Sequence, residues 1–183
     1  MRYRILALFF IFSILVGQPT FEEHAISTAV YDSGPYSVHA ADVDGDGDMD
    51  VLSAFYYDDK IAWYENDGSE SFTEHAISTS ADGAQFVHAA DVDGDGDMDV
   101  LSASYIDDKI AWYENDGSQG FTEYVISTSA DAANSVYAID IDGDGDMDVL
   151  SASSWDNKIA WYENYIPGPT DVSGVISSNT TWS

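Results

Sequence analysis

Aspartate occupies every second position in three short stretches of the chain, separated by glycine or an apolar residue. The first stretch runs from Asp42 to Asp50, and copies begin at Asp91 and Asp140, a spacing of 49 residues. Five carboxylates this close together repel each other unless a counterion lies among them. Ca²⁺ takes roughly six to eight hard oxygen ligands in a flexible geometry, which alternate aspartates can supply. The spacing therefore predicts one calcium site in each stretch, three in total.

Within each acidic loop, we expect the first, second, third and fifth aspartate side chains to bind the ion. Gly45 and Gly47 let the backbone turn sharply enough for these carboxylates to converge. The fourth aspartate stands where a backbone carbonyl is the expected ligand, so its side chain is predicted to point outward. With that position included, the predicted metal-binding residues are Asp42, Asp44, Asp46, Asp48, Asp50, Asp91, Asp93, Asp95, Asp97, Asp99, Asp140, Asp142, Asp144, Asp146 and Asp148.

Other metals and other calcium folds fit these loops less well. Mg²⁺ demands octahedral geometry and keeps its waters, and Zn²⁺ prefers histidine and cysteine, neither of which occurs in the loops. An EF-hand needs flanking helices and a glutamate at its twelfth position, which here is Ser53, within a predicted strand. The remaining alternative is a solvated acidic turn that holds no metal.

The elements around the loops read as β-strands. In the first repeat, alternating or apolar runs predict strands at 36–41, 50–55, 60–65 and 72–78, with a tight turn at Asn66-Asp67-Gly68. Four short antiparallel strands per repeat are typical of a β-propeller blade. The predicted fold is all-β, with three four-stranded antiparallel blades of a partial, open or fragmentary propeller and a calcium-binding loop in each.

The strand count differs at the two ends of the chain. Residues 21–27 predict a strand of the fourth type with no blade before it, while the third repeat lacks a clear fourth strand. The N-terminal strand could complete blade three, as in closed propellers. Because propellers have about four to eight blades, three repeats predict an open fan, an assembly with other copies, or a piece of a longer protein.

The termini predict export and a further segment. Arg2 and Arg4 precede an apolar run at 5–16, which indicates a signal peptide at 1–17, or alternatively an uncleaved membrane anchor. The protein is therefore expected to be secreted or at the cell surface, in an extracellular or periplasmic location. The repeat domain is predicted at 21–165, with repeats at about 35–79, 84–128 and 133–165, and residues 166–183 as a linker and the start of a truncated segment.

Composition restricts the partners. The chain has 34 acidic residues against 5 lysines and arginines, a formal charge of −29, which repels nucleic acids and anionic membranes. With 45% hydrophobic and 14% aromatic residues it can still form a packed core, and without cysteine it can form no disulfide. The expected partners are calcium and an extracellular protein or glycan, and the oligomeric state is left open.

The repeat as a whole resembles a known family. An acidic string followed by an apolar strand and then Trp-Tyr-Glu-Asn-Asp-Gly is similar to FG-GAP/VCBS-type repeats, the blades of integrin-α-like β-propellers. The resemblance covers residues 21–165 and implies calcium binding in the hairpin between the first two strands of each blade. The Phe-Gly and Gly-Ala-Pro strings of the family are not evident, which favours the microbial VCBS branch.

Three further sets of repeated residues allow two interpretations each. The Trp-Tyr pairs at 63–64, 112–113 and 161–162 could pack blades together or form a stacking platform for sugars, and packing is favoured. His39 and His88 share a repeat position with Tyr137, which favours strand packing over a ligand channel. Lysines 60, 109 and 158 follow acidic pairs, so a charge-balancing role is favoured over catalysis.

The functional hypothesis follows from these sites. No Ser/His/Asp arrangement and no phosphate-binding glycine loop is evident in the sequence, so an enzyme is not expected. We expect a secreted calcium-binding repeat module for binding, adhesion or display. The alternative is a scaffold or accessory part of a secreted polysaccharide lyase or hydrolase. The repeats differ mildly at 55–57, 104–106 and 153–155, in the loops between the second and third strands, and these positions are the best candidates for a ligand surface.

Overall fold

The computed structural model describes residues 19–28 and 33–165 of the 183-residue chain. These residues form eleven β-strands, and among them no helix is long and apolar enough to cross a membrane. The predicted signal peptide at 1–17 and the predicted linker segment at 166–183 lie outside the described residues.

The strands pair in chain order into three antiparallel sheets, which we call blades one, two and three. Blade one contains β1 (Pro35–Ala41), β2 (Asp50–Phe55), β3 (Lys60–Asn66) and β4 (Phe72–Ser78); blade two contains β5 (Ala84–Ala90), β6 (Asp99–Ser104), β7 (Lys109–Asn115) and β8 (Phe121–Ser127); blade three contains β9 (Ala133–Ile139), β10 (Asp148–Ser153) and β11 (Lys158–Tyr162). The predicted all-β fold of repeated antiparallel blades is confirmed, with a third sheet of three strands in the part of the chain described.

The prediction of an N-terminal strand at 21–27 is wrong. These residues are described, and they form no strand. Ile26 and Ser27 instead line a cavity of about 420 Å³ together with Val38, Val51 and Tyr64 of blade one. The segment therefore lies beside a face of blade one and adds no strand to blade three within the described part of the chain.

The core consists of the layers between neighbouring blades. Successive residues of a strand face opposite sides of the sheet, so the middle blade needs apolar side chains on both faces. Val100 and Leu101 of β6 show this, because both are fully buried, Val100 towards blade one and Leu101 towards blade three. The segment Asp-Val-Leu-Ser-Ala of β6 is therefore buried at every residue, without the alternation of buried and exposed side chains seen in a strand with one solvent-facing side.

The Trp-Tyr pairs take part in these layers. Trp63 lies in the layer between blades one and two, and Tyr64 is buried on the opposite face of the same blade. Tyr113 of blade two is buried against blade one. These positions support the packing interpretation in blades one and two, whereas Trp161 of blade three is exposed.

Candidate metal centres

Each acidic loop connects the first two strands of its blade, at the closed end of a β-hairpin. In blade one the hairpin begins at the pair Ala41–Asp50, and the loop lies between these two residues. Gly45 and Gly47 have φ values of 74° and 97°, a left-handed conformation that strongly favours glycine. The predicted role of these glycines in turning the backbone is confirmed, and the glycines of the other two loops repeat it.

Three carboxylates converge in each loop. Each contributes one oxygen, and the three oxygens lie within 4.8 Å of one another. Two oxygens bound to one Ca²⁺ at about 2.3–2.6 Å can be separated by at most about 5 Å, so this spacing fits a shared ion. The groups are Asp42, Asp44 and Asp50; Asp91, Asp93 and Asp99; and Asp140, Asp142 and Asp148.

An unsatisfied oxygen supports the fit to a cation. Oδ1 of Asp42 is buried and accepts no hydrogen bond, while Oδ2 accepts one from the N–H of Gly47 at 3.0 Å. A buried carboxylate oxygen without a donor destabilises the fold, and a bound cation would remove that cost. Because every donor atom of the group is a hard carboxylate oxygen, the site suits Ca²⁺ better than Zn²⁺.

The last aspartate of each loop also holds the blade together. Asp50 is fully buried, and its two oxygens accept hydrogen bonds from the N–H groups of Val43 and Asn66, each at 2.8 Å. It thereby ties the start of the loop to the end of β3 and orients its own carboxylate. Equivalent bonds join Asp99 to Val92 and Asn115, and Asp148 to Ile141 and Asn164. Sequence analysis missed this role, because the donors are backbone N–H groups, which do not depend on residue type and leave no sequence signal.

The electrostatics of the loops differ between blades. Burial raises the pKa of Asp50 and of Asp99, and the neighbouring loop carboxylates add to this in each case. Burial also acts to raise the pKa of Asp148, but the N–H groups of Asn164 and Ile141 outweigh it and leave that pKa below its ordinary value. In the first two loops, therefore, the carboxylate charge is disfavoured while no cation lies among them.

The third and fourth aspartates lie outside the converging groups. Oδ1 of Asp46 accepts a hydrogen bond from the N–H of Asp48 at 2.8 Å, and Oδ1 of Asp44 accepts one from the N–H of Asp46 at 3.2 Å. These bonds are local Asx-type turns that shape the loop. The side chain of Asp48 lies beside Gly68, in the turn that follows β3. Metal ligation through Asp46, or through the carbonyl of Asp48, stays a prediction, as it does at the equivalent residues Asp95, Asp97, Asp144 and Asp146.

The two histidines form a row with a tyrosine along the first strands of the blades. The ring centroids of His39 and His88 are 4.7 Å apart, and those of His88 and Tyr137 are 4.4 Å apart. Burial lowers the pKa of both histidines, that of His88 to about 4 with a further contribution from His39. Both rings are therefore neutral at pH 7, which fits packing between adjacent blades.

The three repeated lysines form ion pairs. Lys60 lies 2.6 Å from Glu74, and Lys109 lies 3.0 Å from Glu123. In blade three, Lys158 lies 2.7 Å from Asp156. These contacts agree with the charge-balancing role predicted for the lysines.

Aromatic side chains form a line at the opposite end of the strands from the acidic loops. We call Tyr36, Tyr56, Tyr57, Tyr105 and Trp155 the aromatic strip. Tyr56 stacks on Tyr36 with centroids 4.8 Å apart, and the line continues through contacts of 6.2 Å to Tyr105 and 5.7 Å from there to Trp155. Tyr57 and Trp155 are mostly exposed. Apart from Tyr36, the strip occupies the loops that sequence analysis singled out as a ligand surface.

Blades of consecutive hairpins, packed face on face and each carrying one acidic loop, define a β-propeller-type repeat protein with a candidate cation site in every blade. A family model described as FG-GAP-like repeat matches residues 42–102 and again 91–151. Since the matches span more than half of the chain, the protein belongs to this repeat family, as the sequence resemblance indicated. A comparison with curated proteins found no match.

Proposed function

We propose that this chain is a calcium-stabilised binding module that works outside the cell or at its surface. The observation that carries the proposal is the convergence of three carboxylates at the same hairpin of each of the three repeats. The net charge of −29 adds a general reason to bind cations. The predicted signal peptide supports the location, and extracellular modules bind calcium with a Kd of roughly 10⁻⁴–10⁻³ M.

Calcium has a structural role in this proposal. An ion in the loop between β1 and β2 cancels the repulsion among Asp42, Asp44 and Asp50, and it satisfies the buried oxygen of Asp42. Because Asp50 also binds the backbone at the end of β3, the ion stiffens three strands at once. Binding in the native state alone raises stability by mass action.

Calorimetric titration of the chelator-treated protein with calcium chloride tests this role. We expect three ions per chain, a higher melting temperature and weaker binding of magnesium. A matched control carries Asp44→Asn, Asp93→Asn and Asp142→Asn together, which keeps the side-chain shapes and should abolish most of the calorimetric signal. Equilibrium dialysis against millimolar calcium that finds no more calcium with the protein than in the surrounding buffer, with a melting temperature indifferent to chelator, would contradict the proposal.

The aromatic strip is the proposed ligand surface. Exposed apolar patches of this kind mark binding sites more often than ordinary surface, and aromatic faces suit the C–H faces of sugar rings. Asp58 and Asp59 follow Tyr57 directly, so the surroundings supply hydrogen-bond acceptors for hydroxyl groups and repel anions. We therefore propose a neutral glycan as the ligand class.

Affinity electrophoresis against neutral and anionic polysaccharides tests the glycan proposal. We expect retardation by a neutral polysaccharide, and at least a tenfold weaker effect for Trp155→Ala. The control variant Tyr124→Ala removes an exposed aromatic ring on β8, away from the strip, and should bind as the parent does. Shortening of a bound polysaccharide during incubation would favour the alternative, a part of a secreted lyase or hydrolase. If no polysaccharide in the series retards the protein, the glycan is removed from the proposal.

A further inference from the structure

The same isoleucine has opposite environments in different blades. Ile61, Ile110 and Ile159 occupy one repeat position, yet their exposures are 0%, 0% and 86%. In blades one and two this residue belongs to a forward face, which we define as the Leu, Ala, Ile and Trp side chains of the second and third strands. The following blade covers that face. In blade three, no described residue covers it, and Trp161 is 47% exposed.

Blade one presents the complementary surface. Val87 of blade two, 1% exposed, packs against the forward face of blade one, and Val38 at the matching position of blade one is 71% exposed. We call this side of a blade its rear face. Residues 19–28 border the rear face of blade one and leave a cavity lined by Val38. On this rear face Ala62 and Tyr64 are already buried within the chain, and Val38 is the exposed part. The two ends of the described chain thus carry exposed parts of an interface that it buries twice internally.

Hydrogen bonds between neighbouring blades show the same complementarity between the forward face of one blade and the rear face of the next. The amide Nδ2 of Asn115 donates to the carbonyl of Val43 in the preceding blade at 2.9 Å, and that of Asn164 donates to Val92 at 3.1 Å. In blade one, Asn66 donates to Met49 of its own blade. The carbonyl of Ile141 in blade three stands at the position of Val43 and Val92, so it could accept the matching bond from Asn66 of another blade one.

We infer that the forward face of blade three binds the rear face of blade one in a second copy of this chain. A second copy is the fitting occupant because it offers the side chains that already cover this face between blades one and two and between blades two and three. Two chains joined in this way at both ends supply six blades, within the range of about four to eight found in closed propellers. Such head-to-tail contacts close into a ring when the rotation between copies allows it.

Charge sets the conditions for this assembly. Each chain carries a formal charge of −29, so two chains repel each other at low ionic strength. Calcium bound in the loops and moderate salt both reduce the repulsion. We therefore expect association in calcium and moderate salt, and dissociation in chelator at low salt.

Sedimentation velocity and light scattering over a concentration series test the inference. The wild type in calcium should reach twice the mass of one chain and grow no further. Ile159→Asp and Val38→Asp should each give single chains, since each places a carboxylate in the apolar contact. The control Val125→Asp changes an exposed valine on β8 of the middle blade and should leave the assembly intact. Unchanged calcium binding and circular dichroism verify that each variant folds.

A mixing experiment distinguishes this contact from a symmetric one. Ile159→Asp keeps an intact rear face and Val38→Asp keeps an intact forward face, so their mixture should form pairs that neither variant forms alone. A wild type that stays single at all concentrations, growth beyond two chains, or pairs that survive Ile159→Asp would each overturn the inference. If deleting residues 166–183 converts single chains into pairs, the occupant in the wild type is the chain's own C-terminal segment, which also overturns it.

Discussion

At the scale of single residues, the aspartates of one loop have different roles although their spacing is uniform. Asp44 is half-buried and belongs to the converging carboxylates, whereas Asp50 is fully buried and also accepts two backbone hydrogen bonds. The charge on Asp44 therefore contributes to the stability of the fold mainly when a cation is present. The acceptor oxygens of Asp50 contribute to that stability with or without a bound cation, through their two backbone hydrogen bonds.

Asp44→Asn and Asp50→Asn separate these two roles. We expect Asp44→Asn to weaken calcium binding at the first loop roughly tenfold and to leave the chelated protein at least as stable as before, because the substitution also removes one repelling charge. Asp50→Asn should cost about 1–3 kcal/mol even in chelator, because its NH₂ group would face a backbone N–H donor. Calorimetric titration and urea unfolding with and without chelator measure both effects. Equal losses for both variants in chelator would contradict the assignment.

The histidine row predicts a pH dependence. His88 has a pKa of about 4 because burial, and then His39, disfavour its charged form, whereas an unfolded histidine has a pKa of about 6.5. The unfolded chain therefore binds a proton first, so the contribution of His88 to stability is complete above pH 6.5 and is lost as the pH falls towards 4. His88 contacts the exposed Tyr137 at the open side of the row, so solvent screens part of this effect and we expect about 1–2 kcal/mol.

Urea unfolding at pH 7 and pH 5 in chelator checks this pH dependence. His88→Gln keeps a polar side chain that does not titrate, and it should show a smaller loss of stability between the two pH values than the parent. The same loss in parent and variant would assign the effect to other groups.

At the scale of elements, the position of a blade in the stack decides how its strands behave. β6 of blade two is buried along its whole length, because a blade covers each of its faces. β11 of blade three has the same sequence through Lys-Ile-Ala-Trp-Tyr as β3 and β7, but Ile159 and Trp161 are exposed. Strands of identical sequence therefore contribute differently to the stability of the protein.

Ile110→Ala and Ile159→Ala form a matched pair that measures this difference. Ile110→Ala leaves a cavity between blades two and three and should cost about 2–5 kcal/mol. Ile159→Ala should change stability by less than about 0.5 kcal/mol, provided that unfolding is followed at a dilution where the chain is single. Similar losses for both variants would mean that the forward face of blade three is covered in the single chain.

At the scale of the whole molecule, the dominant feature is its negative charge. The described part pairs its few lysines with glutamates and aspartates, and the acidic loops remain as dense clusters at one end of the strands. Self-repulsion of this size opposes the compact state. Calcium removes repulsion locally at the loops, whereas simple salt screens it everywhere.

Salt and calcium should therefore act differently on thermal stability. In chelator we expect sodium chloride to raise the melting temperature by several degrees, because it screens charges that no cation neutralises. In saturating calcium, the same addition should have a clearly smaller effect. Scanning calorimetry over a salt series in both conditions measures the difference, and parallel salt dependences would argue against calcium as the main neutralising ion.

Much of the fold and of the candidate site followed from local patterns. The strands 50–55 and 72–78 were predicted with the bounds that the structure has, and 36–41 and 60–65 were each one residue short. Apolar alternation, Gly-rich turns and a repeat of constant length are properties of short segments, which depend little on distant contacts. Of the four aspartates predicted to converge in each loop, the first, second and fifth do so and the third lies outside the group, a difference that the uniform spacing does not indicate.

What the sequence by itself determined, then, is the repeated strand-loop-strand unit, its acidic loop and its family. Only the tertiary structure decided that residues 21–27 lie beside a face of blade one without forming a strand, that Asp50 binds the end of β3, and that Ile159 is exposed where Ile110 is buried. The physical reason is that burial and hydrogen-bond partners are set by neighbouring blades. Identical segments therefore differ wherever the stack of blades stops.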